Sequence, residues 1–137
     1  MLQSALAPVF VQVALTFALL GWMGAWRVWL LQTRQVKYSA IALGQPGYSE
    51  GCAKVARAFH NQLETPILFY AAVGFAVLLG KISSGFVTVE WIFVAFRLLH
   101  AGVHVTSNFV PLRFLMFCGA FAALAALWGM LALAAYG

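Results

Sequence analysis

Residues 57–79 read RAFHNQLETPILFYAAVGFAVLL, a polar opening that runs into a long apolar stretch. A second stretch, residues 87–108, carries Arg97, His100 and His104 among apolar side chains. An ionised side chain in hydrocarbon costs several kcal/mol, so such groups pack against each other or line a polar site. The two stretches therefore predict membrane-spanning helices with a polar pocket between them.

The rest of the chain has the composition of a membrane protein. Its 137 residues are 64% hydrophobic and 8% charged, and a soluble domain of this size could not cover so apolar a surface. A spanning helix needs about 20 mainly apolar residues. We expect an all-α membrane protein, a four-transmembrane-helix bundle that forms a single domain over residues 1–137. The apolar stretches predict spans at residues 5–31, 52–79, 87–107 and 111–136.

The net charge of +5 bears on topology, because so apolar a composition argues against nucleic-acid binding. Lys81 stands almost alone between the second and third spans, whereas basic residues gather between the first two, at Arg27, Arg34, Lys37, Lys54 and Arg57. Basic connections face the cytoplasm. The first and third connections are therefore predicted there, with both termini on the opposite side. A turn is predicted at residues 44–47, GQPG.

Polar side chains form a stripe on the predicted second span. Arg57, Asn61 and Glu64 are spaced i, i+4 and i+7, so a continuous helix would place them on one face. Such groups either bind spans to one another or bind a ligand, and the spacing alone favours neither. Pro66 lies in the same span, lacks a backbone N–H, and is expected to kink it.

The third span carries a similar stripe of Arg97, His100, His104 and Asn108. Two histidines one turn apart suit a metal, or haem with a facing histidine such as His60. The carboxylate on this span, Glu90, precedes His100 by ten residues, and the two cysteines lack metal-ligand spacing. We therefore expect no metal, and prefer hydrogen bonding to a polar ligand or to the second span.

Arg113 opens the predicted fourth span, where it either reaches for the membrane interface or holds an anion. A guanidinium beside a thiol stabilises the reactive thiolate. Because the first and third connections share one side of the membrane, one boundary collects the polar residues of three spans. The residues expected to face a single site are Arg57, Asn61, Glu64, His100, His104 and Arg113.

These motifs resemble a known family. The run RAFHNQLETP at residues 57–66 is similar to the Arg-x-x-x-Asn-x-x-Glu signature of the MAPEG proteins, the membrane-associated proteins in eicosanoid and glutathione metabolism. RLLH at residues 97–100 and PLR at residues 111–113 resemble the third and fourth helices of that family. The resemblance covers essentially the whole chain. It implies a left-handed four-helix bundle that assembles as a homotrimer and binds glutathione between protomers, near the cytoplasmic side.

The resemblance also implies roles for individual residues. Arg113 would activate the glutathione thiol, and the tripeptide would contact Arg34, Arg57, Asn61, Glu64 and His100. Eukaryotic members have a tyrosine at the position of His104, so His104 would replace it as a donor to the ligand. Such members have a serine or another polar residue at the position of Phe114 and a tyrosine near the position of Phe117. That departure disfavours prostaglandin-type isomerisation and leaves transferase or peroxidase chemistry.

Two functions therefore stay open beside a third, an electron-transfer protein that would hold haem or a metal at His60, His100 and His104. The first is an integral membrane glutathione-dependent transferase or peroxidase, whose lipophilic electrophile or lipid hydroperoxide would enter laterally from the bilayer. The second is a non-catalytic MAPEG-like subunit or scaffold that binds a larger membrane complex. The chain is most similar to the small bacterial members, and it shows no endoplasmic-reticulum retention tail. We therefore expect a multi-pass protein of a bacterial inner membrane.

Overall fold

The computed structural model describes residues 1–42 and 47–137. These residues contain no strand and form six helices: α1 (Leu2–Gln32), α2 (Tyr38–Ala42), α3 (Glu50–Asn61), α4 (Thr65–Leu78), α5 (Ser84–Val105) and α6 (Val110–Tyr136). Helices α1, α5 and α6 are each long and apolar enough to span a membrane. The predicted all-helical membrane protein is thereby confirmed. The predicted turn at residues 44–47 lies, apart from Gly47, outside the described residues.

The predicted second span is not one continuous helix. Helix α3 ends at Asn61 and α4 starts at Thr65, and α4 has only 14 residues. Pro66 lies in the first turn of α4, where a missing N–H has no helical partner to lose. Because Pro66 cannot donate to the carbonyl of Gln62, the chain ends one helix and starts another. The expected kink is therefore a break, and residues 62–64 form a link between two helices.

Helix α5 is the centre of the bundle. It forms a hairpin with α6 and also contacts α1 and α3, and α4 packs mainly against α6 and α1. In the main core, Phe69 of α4 stacks on Phe93 of α5 with ring centroids 4.6 Å apart. Small residues line the same core and let helix backbones approach closely; they include Ala72, Ala76, Ala120 and Ala123. The end of α3, the second half of α5 and the start of α6 meet at one end of the bundle.

The outer surface of the bundle is apolar. Phe10, Phe17, Phe121 and Leu133 are all more than half exposed. A soluble monomer rarely exposes large apolar side chains over so much of its surface, whereas lipid-facing side chains are of this kind. The exposed surface thus agrees with the length and hydropathy of the helices.

Candidate functional site

The break between α3 and α4 is held by a buried arginine on α5. Arg97 is 0% exposed, and its Nη1 and Nη2 donate to the side-chain and main-chain oxygens of Asn61 at 3.0 and 2.8 Å. The last carbonyls of a helix lack partners within that helix, and a cation at this end is favoured by the helix dipole. Arg97 therefore caps α3 at the point where Pro66 prevents the helix from continuing.

A pair of glutamines fixes the same link from the other side. Gln12 of α1 is 0% exposed, Gln62 is 2% exposed, and Gln12 Nε2 donates to Gln62 Oε1 at 2.8 Å. Gln62 Nε2 donates in turn to the carbonyl of Ala58 at 3.3 Å. The predicted hydrogen bonding between the third and second spans is confirmed for Arg97 and Asn61. Sequence reasoning found neither glutamine nor the capping role of Arg97. The available signals were an amide, Gln12, within the apolar first span, and an arginine on a span next to one that a proline interrupts.

Three of the predicted site residues line one cavity. Asn61 at the end of α3, His100 on α5 and Arg113 on α6 surround a space of about 190 Å³. Its remaining wall is apolar and consists of Val110, Phe114 and Phe117. The cavity thus presents a guanidinium, an imidazole and an amide opposite aromatic side chains, which suits a ligand with one charged and one apolar part.

The guanidinium of Arg113 is bound to a neutral partner. Its Nη1 donates to Asn108 Oδ1 at 2.6 Å. Asn108 was predicted on the helical stripe, but α5 ends at Val105, and Asn108 lies in the connection to α6 with a φ of 51°. An amide orients the guanidinium without neutralising its charge. The positive charge of Arg113 therefore remains available to an anion at the cavity.

The two histidines of α5 form a buried pair. The rings of His100 and His104 meet edge to face, with centroids 5.7 Å apart. Among the described residues, His100 Nδ1 and both ring nitrogens of His104 have no hydrogen-bond partner. His100 lines the cavity and also lies near Phe117, at 6.3 Å between centroids. His104 is not among the residues that line the cavity.

The other predicted site residues lie elsewhere. Arg57 is exposed and lines a second cavity, whose wall also includes Arg27 and Tyr48. Glu64 is exposed in the 62–64 link and is the N-cap residue of α4. The predicted single helical face for Arg57, Asn61 and Glu64 is therefore wrong for Glu64, because α3 ends before reaching it.

Arg34 belongs to the end of α1. Its φ is 56°, its N–H donates to the carbonyl of Leu31 at 3.0 Å, and the N–H of Gln35 donates to Leu30 at 3.0 Å. This is the Schellman pattern that ends helices, with arginine where glycine is usual. The exposed side chain lines a separate hollow beside Val36 and Lys37. The structure does not bring Arg34 to the cavity of Arg113 in the same chain.

Acidic and metal-ligating side chains are sparse in the described part of the chain. One ion pair is present there, between Lys54 Nζ and Glu50 Oε1 at 3.2 Å. No three His, Cys, Asp or Glu side chains of residues 1–42 and 47–137 lie close enough to share a metal ion. The cations at the two cavities thus have no carboxylate partner among these residues.

The sequence matches one family model. The model of the MAPEG family aligns with residues 5–133, nearly the whole chain. Comparison with curated proteins and comparison with solved structures give no significant match.

Proposed function

The chain belongs to the MAPEG family, and from that premise we propose that it is a membrane glutathione-dependent transferase or peroxidase. Its substrates would be lipophilic electrophiles or lipid hydroperoxides. The observation that carries the proposal is the cavity of Asn61, His100 and Arg113, which sets an unneutralised guanidinium against an aromatic wall.

The charges of the described residues fit glutathione. The tripeptide carries two carboxylates, one ammonium group and one thiol. Arg57 and Arg113 have no carboxylate partner among the described residues, so they are free to bind anionic groups. Glu64 is exposed and has no ion-pair partner among the described residues, and it would bind the ammonium group. Asn61 and His100 would add hydrogen bonds, and Arg34 and His104 complete the set that the family resemblance implies.

Arg113 is the residue we propose as catalytic. When bound, glutathione would supply a thiol that gives up its proton to solvent and attacks as the thiolate. In conjugation the sulfur would bond to the electrophilic carbon, and the broken bond's electrons would leave with the displaced group. In the peroxidase reaction the sulfur would bond to the peroxide oxygen, the O–O bond would break to release an alcohol, and a second glutathione would reduce the resulting sulfenic acid to the disulfide and water. The Arg113 guanidinium would favour the anionic form of that sulfur in the cavity. Asn108 holds the guanidinium in place through the 2.6 Å hydrogen bond. The charge that assists the reaction is thus positioned before the ligand arrives.

The apolar wall of the cavity supports a lipophilic second substrate. Phe114 lines the cavity and is 65% exposed on the outer face of α6, next to Leu115 at 60%. A single side chain therefore touches both the cavity and the lipid-facing surface. We propose that the second substrate enters laterally from the bilayer past Phe114.

The proposal includes the assembly and its orientation. The α3–α4 pair would be the second of four spans in a single domain, and three copies would form a homotrimer that completes the glutathione site. The basic residues between α1 and the end of α3 support a cytoplasmic position for that connection. Both termini would then lie on the other side of a bacterial inner membrane.

A scaffold without catalysis is the second candidate. Phe114 and Phe117 occupy the cavity wall, where the family resemblance implies polar side chains in some catalytic members. An apolar wall supplies no further proton donor. In this case the exposed apolar faces would bind a larger membrane complex.

Calorimetry and activity assays on the full-length protein in nanodiscs test the proposal. We expect wild type to bind glutathione and to conjugate a lipophilic electrophile or reduce a lipid hydroperoxide. Arg113→Ala should lower the catalysed rate by about 100-fold, the order expected for removing one preorganised charge-stabilising donor. Lys81→Ala is the matched control, because Lys81 is an exposed cation in the loop between α4 and α5.

Two results would contradict the enzyme proposal. If folded wild-type protein does not bind glutathione, then glutathione is not its ligand. If wild type binds glutathione but its reaction rate equals that of Arg113→Ala, the scaffold is the better account. A stoichiometric co-purifying partner would support that reading.

A further inference from the structure

A second cavity lies between the end of α1 and the start of α3. It has a volume of about 240 Å³, and its lining residues are Arg27, Gly47, Tyr48, Cys52, Ala53, Ala56 and Arg57. Two guanidinium groups thus meet a wall that contains no carboxylate. Like charges at one small cavity repel unless an anion lies between them, so the lining indicates an anion-binding site.

Arg27 is held in one orientation at this cavity. Its guanidinium carbon lies 4.8 Å from the centroid of the Tyr48 ring, a cation–π contact that occupies one face of the group. Its Nε is buried and has no hydrogen-bond partner among the described residues. The stacked face leaves the N–H groups in the guanidinium plane, where they match the geometry of a carboxylate.

Close packing between α1 and α3 keeps these two residues together. A Cβ atom at Gly51 would lie 2.6 Å from Cη2 of Trp26, so the first turn of α3 approaches the Trp26 ring more closely than a larger residue allows. Trp26 precedes Arg27, and Gly51 follows Tyr48 by three residues. The cavity is therefore part of the packed fold.

The two cavities are one helical turn apart along α3. Arg57 lines the second cavity and Asn61 lines the first, and four residues of helix rise by about 6 Å. An extended tripeptide spans about 10 Å at 3.3–3.6 Å per residue, so one glutathione molecule can reach both. Glu64, the proposed ammonium partner, follows Asn61 in the chain on the side away from Arg57.

We propose that Arg27, stacked on Tyr48, forms with Arg57 a pocket for the glycine carboxylate of glutathione. The inference rests on the proposed function. It adds Arg27 to the binding residues and sets the direction of the ligand. The glycine end lies at Arg27 and Arg57, the thiol at Arg113, and the γ-glutamyl end toward Glu64.

A cycle of one substitution and one ligand change tests the pocket. Calorimetry on the full-length protein in nanodiscs compares glutathione with its glycine monoethyl ester, on wild type and on Arg27→Gln. We expect the ester and the substitution each to weaken binding by about tenfold, the order for losing one charge-assisted contact. Arg27→Gln should bind the ester as wild type does, because the partner of Arg27 is already absent.

Lys54→Gln is the matched control, since Lys54 is a neighbouring cation that pairs with Glu50 and does not line the cavity. It should bind both ligands as wild type does. Tyr48→Leu is a second variant, which keeps the arginine but removes its stacking partner, and it should weaken glutathione more than the ester.

The outcomes separate the inference from the function on which it rests. If wild type does not bind glutathione, the proposed function fails. If wild type binds it and Arg27→Gln has no effect, or weakens the ester as much as glutathione, the pocket assignment is wrong. If wild type binds glutathione and its ester with equal affinity, the pocket assignment is also wrong. This comparison does not depend on whether a variant folds.

Discussion

Arg97 shows how a buried cation is held inside this bundle, although its Nε has no hydrogen-bond partner among the described residues. It donates to both oxygens of Asn61 and has no exposed surface. Arg97→Met keeps an unbranched side chain but leaves those oxygens without their donors. We expect the free energy of unfolding to fall by about 1–3 kcal/mol, the cost of leaving buried acceptors unsatisfied.

Detergent-denaturation curves followed by circular dichroism would measure the effect of Arg97→Met. Lys81→Met, in the exposed loop between α4 and α5, should leave the midpoint unchanged. If both variants unfold at the wild-type midpoint, Arg97 does not stabilise the end of α3.

At Arg34, one substitution can test the side chain separately from the backbone conformation. Its φ of 56° is strained for an L-residue and costs glycine little. Arg34→Gly should therefore keep or slightly raise thermal stability, while the proposed glutathione contact is lost and affinity falls. Arg34→Gly that binds glutathione as wild type does would remove Arg34 from the proposed binding set.

At the scale of helices, the Gln12–Gln62 hydrogen bond joins α1 to the link between α3 and α4. Gln62→Leu leaves the amide of Gln12 buried without that partner, and should destabilise the protein by about 1–3 kcal/mol. The double variant Gln12→Leu with Gln62→Leu should recover much of this loss, because neither amide then needs a partner. Additive losses in the double variant would show that the two side chains do not act as a pair.

The sequence and the structure differ most at this same link. The apolar run and Pro66 correctly predicted a disturbance in the second span, because both are local properties of the chain. The choice between a kink and a break was not local. It depends on Arg97, 36 residues after Asn61, which donates to the main-chain carbonyl at the end of α3. It also depends on Gln12, 50 residues before Gln62, which donates to the side chain of Gln62 in the link.

At the scale of the whole molecule, the distribution of basic residues predicts the orientation in the membrane. In a background without Cys52 and Cys118, Lys81→Cys and Ser39→Cys place single thiols on exposed residues of opposite connections. A membrane-impermeant maleimide on intact cells should label Lys81→Cys, whereas Ser39→Cys should react only after permeabilisation. The reverse pattern would invert the proposed topology.

By itself the amino-acid sequence determines the all-helical membrane character of this protein, since mean hydropathy and helix length depend only on which residues follow one another. The family follows from motifs of the same local kind. The tertiary structure alone decided which polar residues share a cavity. It placed Asn61, His100 and Arg113 together and moved Arg57 to the cavity of Arg27 and Tyr48. The physical reason is that helix ends and helix packing are set by partners distant in sequence, and these decide where each side chain lies.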